Sequence, residues 1–418
     1  MNDDEEGEPP ILHAFMGYGI ELEYMIVDRD SLSVLPLSDR LLRDAPGSEN
    51  NEMRRGRMGW SNELVMHVLE VKNLRPTVSL SMLPAAFDAE VREINRLLQP
   101  MNAMLMPTAM HPWMDPVRET HLWPHDNEEI YRAYDRIFNS KSHGWANLQS
   151  MHVNLPFAND GEFERLHAAI RLLLPILPAL AASSPFADGR ATGMADYRMH
   201  VYSSNADAIP SIAGMVIPET ITSRAAYEQR ILAPMYRDIA PYDPEGVLEK
   251  EWLNSRGAIA RFDRNAIEIR VIDTQECPRA DLAVASAAVD IVRRLYRVER
   301  EELIAQQEMP TAALAAVLQA CIRDAEQTVI DNAAYLRLLS FPGQRCTAQE
   351  LWYHLIGQML DEDDGHAQHW SVPLQTMLER GPLARRILRA AGDGSAGKRH
   401  AVYRELCDCL QEGRMFLA

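Results

Sequence analysis

Cysteine is scarce in this 418-residue chain, and the few present do not form a framework. The five are Cys277, Cys321, Cys346, Cys407 and Cys409; the number is odd, no CxxC occurs, and Cys407/Cys409 lack a second nearby pair for zinc. A disulfide scaffold is excluded and a reducing cytoplasm is the expected compartment. Positive charge is also short: Lys plus Arg is 42 against 60 Asp plus Glu, a net charge of −18. Tracking nucleic-acid phosphates needs a basic surface, so nucleic acid is excluded as a partner, while a local basic pocket for a small anion stays allowed. No apolar run is long enough to span a membrane; the most apolar, Leu172 to Ala182, holds Pro175 and Pro178. The first residues, Met1-Asn-Asp-Asp-Glu-Glu, are the opposite of a basic secretory or mitochondrial leader. No GxxxxGKS or GxxxxGKT occurs, and Gly17-Tyr18-Gly19 precedes a strand where a dinucleotide fingerprint would follow one. With no GxSxG and no Cys–His context, covalent acyl-enzyme chemistry is disfavoured.

What is present is an ordinary soluble composition, 47% apolar and 24% charged, with length for an ample core. Residues 1–12 read as a disordered acidic tail. In Gly19–Val27, Ile20, Leu22, Tyr24 and Ile26 share one parity and Glu21, Glu23 and Met25 the other, the alternation of a half-buried strand. The pattern returns at Gln149–Leu155, where Met151, Val153 and Leu155 alternate with Ser150, His152 and Asn154, and at Ala266–Ile272, where Ile267, Ile269 and Val271 oppose Glu268 and Arg270. Residues 43–61 are polar and read as loop. Residues 85–99 and 162–182 read as helices, the second kinked near its prolines, and 183–190 as loop. Beyond Leu282–Tyr296 the spacing predicts helices over 311–339, 347–360, 372–391 and 398–413, with Asp361–Gly365 an acidic connector. The class is α+β: strands scattered over the first two thirds, then a helical C-terminal section.

Three strands share an oddity. Each sets an apolar row against a row of ionic or metal-competent groups: Glu21 and Glu23; His152 and Asn154; Glu268 and Arg270. A solvated sheet face ordinarily mixes Lys, Thr and Ser. Two glutamates at i and i+2 point the same way about 7 Å apart, and like charges that close are unfavourable without a cation between them. One ExE on a strand is usually a solvated edge, and a lone strand histidine is usually structural; three such rows in one chain weigh against that reading. Hard oxygen donors with one imidazole suit Mg²⁺ or Mn²⁺. Within Asn62–Lys72, Glu63 and Glu70 are seven apart, so on a straight strand they would face opposite ways and converge only if the segment bends. His67 reads as a packing or surface histidine. Arg190 and Arg198 flank Gly193 in a loop, and Arg256 and Arg261 precede the third strand; each could reach an anion or simply pair with a carboxylate.

These pieces, in this order, resemble the glutamate–cysteine ligase type 2 family of carboxylate–amine ligases, over about Gly17 to Tyr296. The strongest are Gly19 through Asp28, Glu63 through Glu70, Leu174 through Gly193, Asp196-Tyr-Arg198 and Ile267 through Asp273. The family is similar to the glutamine synthetase catalytic domain, which implies a curved antiparallel sheet whose polar concave face is backed by helices. It implies an ATP-dependent catalytic domain over 13–300, with 301–418 a helical section packed on it. It further implies that Glu23, Glu63 and Glu70 hold a metal near the substrate carboxylate. Glu21, His152 and Glu268 would hold the metal that bridges ATP phosphates. Arg270 would neutralise the transferred phosphoryl group, and Arg198 and Arg190 would hold phosphate or carboxylate. Arg270, Arg198 and Glu63 are the catalytic candidates; Arg190, Arg198, Arg261, Arg270 and Asn154 are the nucleotide-binding ones. The resemblance also implies the bend that would bring Glu63 and Glu70 together.

The expected reaction activates an amino-acid carboxylate, the γ-carboxylate of glutamate first among candidates, as an acyl phosphate, and joins it to an amine. ATP and Mg²⁺ or Mn²⁺ are the expected cofactors, and small amino-acid and amine substrates the expected partners; a homo-oligomer stays open. Ser150, Val71-Lys72-Asn73, Ala187-Asp188 and Asp196 depart from the family pattern, on the substrate side more than the metal side. Two alternatives remain: a guanidino or amino phosphotransferase, which would give no amide, and a silent nucleotide- or amino-acid-binding protein. The six metal-type ligands argue against the latter.

Overall fold

The computed structural model describes residues 11–44, 48–49, 51–361 and 366–418. The tail, apart from an exposed Ile11 and a half-buried Leu12, and most of the Asp361–Gly365 connector lie outside the described residues.

Alternation builds the strands: β1 Gly19–Asp28, β2 Ser48–Glu49, β3 Glu52–Arg55, β4 Met58–Asn62, β5 Val68–Asn73, β6 Ala103–Met106, β7 Ser150–Pro156, the short hairpin β8 Phe186–Ala187 and β9 Arg190–Ala191, then β10 Ala258–Arg261 and β11 Ala266–Asp273. All but the hairpin join one open antiparallel sheet of nine strands in the order β10-β11-β7-β1-β5-β4-β3-β2. β1 carries β7 along its first half and β6 along its second, both on the edge away from β5.

One face is apolar. Ile20, Leu22, Tyr24 and Ile26 of β1 join Met151, Val153, Leu155, Ile267, Ile269, Leu69, Val71 and Trp60 in the main core. Burying each large aliphatic side chain contributes about 1.5–3 kcal/mol. Helices from both the middle and the C-terminal part of the chain pack against this face. Pro84–Leu98 contributes Phe87, Val91, Ile94 and Leu98, and Asp160–Leu173 contributes Phe163, Leu166 and Ile170. Pro278–Tyr296 contributes Leu282, Val289 and Val292. Asn159 caps Asp160–Leu173 by accepting from the Glu162 amide. Pro175 then tightens the chain into a 3₁₀ turn, Leu174–Ile176, before Leu177–Ala181 resumes, which is the expected kink.

The opposite face is polar only as far as Glu23. From Met25 to Val27 β1 is apolar on both faces, because the C-terminal helices Leu383–Ala391 and Ala396–Glu412 cover its far half. Met25, Val27, Met104 and Met106 pack there with Leu383, Ile387, Val402 and Tyr403. These last two helices thereby close one end of the polar face, while the helices before them join the main core on the apolar side.

Four expectations on local structure are corrected. Residues 43–61 hold β2, β3 and β4 at the sheet's outer end; Met53, Met58 and Trp60 are buried, and strands of two, four and five residues are too short for the alternation to show. Gly56, at φ 62, makes the two-residue turn that pairs Arg55 with Met58. The stretch 183–190 contains most of the β8–β9 hairpin. The span 311–339 breaks after Thr311–Asp324, where Ala325 takes φ 47, and helix resumes as Ala333–Leu338 under an Asn332 cap. The span 372–391 is two helices, His366–Arg380 and Leu383–Ala391, separated by Gly381 at φ 79 and Pro382.

Candidate active site

Register decides which polar groups meet. Residues directly opposite in an antiparallel pair share a face. Glu21 stands between Lys72 of β5 and His152 of β7. Glu23 stands opposite Glu70, and Glu70 opposite Ser61 of β4. Asn154 stands between Gly19 and Glu268. The three polar rows therefore form one patch. It floors a cavity of ≈ 460 Å³ lined by Glu21, Glu23, Glu63, Glu70, His152 and Glu268, and also by Arg198, Arg261 and Arg270.

Glu63 reaches the patch by a chain reversal. β4 ends at Asn62, and the chain returns as β5 from Val68 with Ser61 paired to Glu70. Glu63 and Glu70 therefore lie on opposite arms of a connection, which is the convergence that the resemblance implied and a straight strand forbids. Carboxylate oxygens of Glu23, Glu63 and Glu70 lie within 4.8 Å of one another. His67, inside the connection, is buried, and its Nε2 is 2.8 Å from the Ala146 carbonyl; it is a packing residue.

Arg270 is aimed by a β-bulge. Between Ile269 and Ile272, β11 takes three steps while β7 takes two, from Val153 to Met151. Arg270 Nε donates to Glu268 Oε1 at 2.5 Å, and Arg261 Nη1 to Glu268 Oε2 at 3.3 Å. His152 Nδ1 lies 3.0 Å from Glu21 Oε2 and 3.6 Å from Glu268 Oε1. Ser150 donates through its amide (2.6 Å) and hydroxyl (3.1 Å) to Glu23 Oε2, and its hydroxyl lies 2.9 Å from His152 Nε2. Arg198 comes from the short helix Tyr197–Tyr202, which Asp196 caps. It is 1% exposed, and its Nε donates to Asp273 Oδ1 at 2.5 Å.

Electrostatics divide the cavity. Burial, with the neighbouring Glu70 charge, raises Glu23 above the usual carboxylate range despite His152. Burial, with the charges of Glu23 and Glu70, raises Glu63 well above it. Burial pushes Glu70 the same way, but the Lys72 ammonium outweighs it and leaves Glu70 low. At the other end burial opposes ionisation of Glu268, yet Arg270, His152 and Arg261 hold it down to about 2. Burial would lower His152, but the hydrogen bond to Glu21 and the charges of Glu268 and Glu23 push it up to about 9. Glu23 and Glu63, both with raised affinity for protons and crowded against Glu70, are short of positive charge. Their hard oxygens fit a divalent cation such as Mg²⁺ or Mn²⁺.

The second expected ligand set meets differently. Glu21 and His152 gather with Glu70, within 4.8 Å, while Glu268 is engaged by two arginines. Two other candidates lie off the cavity. Arg190 is exposed on β9, and Asn154 donates to Glu21 Oε1 at 3.3 Å without lining the hollow itself. Arg256 is taken up by Glu219, with contacts of 2.6 and 2.8 Å.

The sequence reading missed several lining groups. Lys72 and Arg264 add cations, and Tyr131, Tyr134, Trp145, Tyr202 and Trp252 contribute to an aromatic wall. Lys72 shares parity with Glu70, a usable signal; the wall comes from helices and turns far apart in the chain and has none.

Comparison with known proteins gives concordant findings. A family model described as glutamate–cysteine ligase family 2 matches residues 18–405. An uncharacterized protein of Archaeoglobus fulgidus is 31% identical over 399 residues, 96% of this chain and 100% of that one. A protein of Ruegeria pomeroyi named "Putative glutamate--cysteine ligase 2" is 25% identical over 292 residues, 68% of this chain and 67% of its own length. The crystal structure of a glutamate–cysteine ligase from Francisella tularensis in complex with AMP superposes with a TM-score of 0.59 at 12% identity, covering 94% of this chain and 88% of that one. That likeness shows a shared fold.

Proposed function

The chain belongs to glutamate–cysteine ligase family 2 and is an ATP-dependent ligase; from that premise we propose that its cavity activates an amino-acid carboxylate as an acyl phosphate and joins it to an amine. The observation that carries this reading is the single hollow in which five glutamates and one histidine from five stretches of chain face Arg198, Arg261 and Arg270. Residues 13–300 form the catalytic domain in this reading, with 301–418 a helical section packed on it.

The γ-phosphoryl group of ATP passes to a substrate carboxylate oxygen, giving ADP and an acyl phosphate. The amine nitrogen then attacks the acyl carbon, inorganic phosphate leaves, and a C–N bond replaces the C–O bond. Glu23, Glu63 and Glu70 would hold a divalent cation, which when bound supplies Lewis-acid stabilisation of charge on oxygen. Arg270 neutralises the phosphoryl oxygens, and its Nε bond to Glu268 fixes its direction. Arg261, tied to the other Glu268 oxygen, adds a second guanidinium from β10. Arg198, braced by Asp273 through Nε and set with its Nη atoms 3.4 and 3.5 Å from the Arg270 carbonyl, adds its charge to the same wall for phosphate or carboxylate. A cavity carboxylate left free of the cation takes the proton from the attacking amine. The donor we propose is glutamate through its γ-carboxylate, as the family name and the Ruegeria relative suggest.

The test is incubation with ATP, Mg²⁺ or Mn²⁺ and an amino-acid pool, following phosphate release and new masses. The expected product is the sum of donor and amine less water, formed with one phosphate. A phosphorylated product without an amide would assign the alternative phosphotransferase. No ATP turnover with any pool would leave a binding protein.

A further inference from the structure

Lys72 is one of four lysines among 42 basic residues, and the cavity's other permanently charged cations are Arg198, Arg261, Arg264 and Arg270. It stands on β5 opposite Glu21. Its Nζ lies 2.9 Å from Glu70 Oε1, 2.9 Å from Ser61 Oγ and 3.9 Å from Glu52 Oε1. Ser61 also donates to Glu70 Oε1, at 2.8 Å. Glu70 belongs to both candidate ligand sets, Glu23–Glu63–Glu70 and Glu21–Glu70–His152. An ammonium is a compact point charge that can stand among carboxylates as a metal ion would, whereas a guanidinium is a planar fork that spreads its charge. A divalent ion in the Glu21–Glu70–His152 set would meet that ammonium as a like charge between Glu21, which faces Lys72 across the strands, and Glu70, which bonds it, whereas the Glu23–Glu63–Glu70 set shares only Glu70 with Lys72.

We propose that Lys72 is a fixed internal cation standing in for a divalent ion in the Glu21–Glu70–His152 set. The protein's own side chains then hold one divalent ion, at Glu23, Glu63 and Glu70. A further ion enters only with the phosphates of the nucleotide. This inference rests on the ligase reading of the same cavity and assigns Lys72 a positioning role in it.

The test counts Mn²⁺ bound per chain on the full-length protein, by equilibrium dialysis with the free ion read by electron paramagnetic resonance. Wild type without nucleotide is expected to bind one ion, and two once adenylyl imidodiphosphate is added. Lys72→Gln is expected to bind two without nucleotide. The wild-type measurement stands even where the variant fails to fold. Two ions on nucleotide-free wild type, or one on folded Lys72→Gln, overturns the role of Lys72 and leaves ATP-dependent amide formation untouched. No bound ion in any sample overturns both this inference and the proposed cation site.

Discussion

Arg270→Gln separates catalysis from folding. Arg270 gives Glu268 its shortest charged hydrogen bond, at 2.5 Å, on a carboxylate that is 1% exposed. Breaking a buried pair outright costs about 3–5 kcal/mol, because the remaining charge is stranded. Here Glu268 keeps Arg261 at 3.3 Å and His152 at 3.6 Å. The expected loss is therefore nearer that of one charged hydrogen bond, about 1.5–3 kcal/mol. With an unfolding entropy of about 2.1 cal/mol/K per residue, the chain gains roughly 0.9 kcal/mol/K, so Tm falls by about 2–3 °C. Activity should fall far more, by about 10²–10³ in kcat, as when one group that stabilises transition-state charge is removed. pH adds a check. Glu268 is held to about 2 against an ordinary 4.5, so its contribution is full above 4.5 and is lost as pH falls through about 2. The Tm gap between wild type and variant should narrow over that window. Phosphate-release kinetics and calorimetry read both quantities. Turnover within about threefold of wild type in a folded variant would refute the role of Arg270. A Tm loss of more than about 5 °C would refute the claim that Arg261 still holds Glu268.

Other consequences lie away from the chemistry. Arg386 and Glu276 form an ion pair of fully buried side chains that also ties in the backbone of Phe416. Arg386→Met strands Glu276 and should cost about 3–5 kcal/mol with kcat unchanged; chemical unfolding checks the first and steady-state kinetics the second. Burial lowers His67 to about 4, and His111 and His167 to about 3. These rings are neutral in the fold and protonate first in the unfolded chain. Stability from them is therefore complete above about pH 6.5 and falls as pH drops toward 4. A urea midpoint independent of pH across that range would contradict this. Arg190→Ala, on the exposed hairpin, should leave kcat/KM within about twofold, as for surface changes away from a site; a tenfold loss would return Arg190 to the cavity.

Much of the sheet was legible because period-2 alternation is a local signal. Glu21, Glu23, His152 and Glu268 declared themselves by sitting in otherwise apolar strands. That three such strands pair through β1 and β7 is a matter of register, which no one segment encodes. Glu63 is the clearest limit. Its spacing from Glu70 pointed away from convergence, and only the reversal after Asn62 undoes that. The grouping of ligands was equally hidden. Glu268 was matched with Glu21 and His152 as a metal set, yet the bulge at Arg270 brings a guanidinium onto it first. Residues 43–61 concealed three strands because they are only two, four and five residues long, too short for a period-2 rhythm to show. The break at Gly381-Pro382, by contrast, follows an ordinary helix-stop signal and could have been read.

The most direct test of the central claim uses glutamate carrying ¹⁸O in its γ-carboxylate, with ATP, Mg²⁺ and an amine acceptor. The account predicts that one labelled oxygen leaves with each inorganic phosphate, because the acyl C–O bond is the one that breaks. Amide formed alongside unlabelled phosphate, or label recovered in AMP, would contradict it.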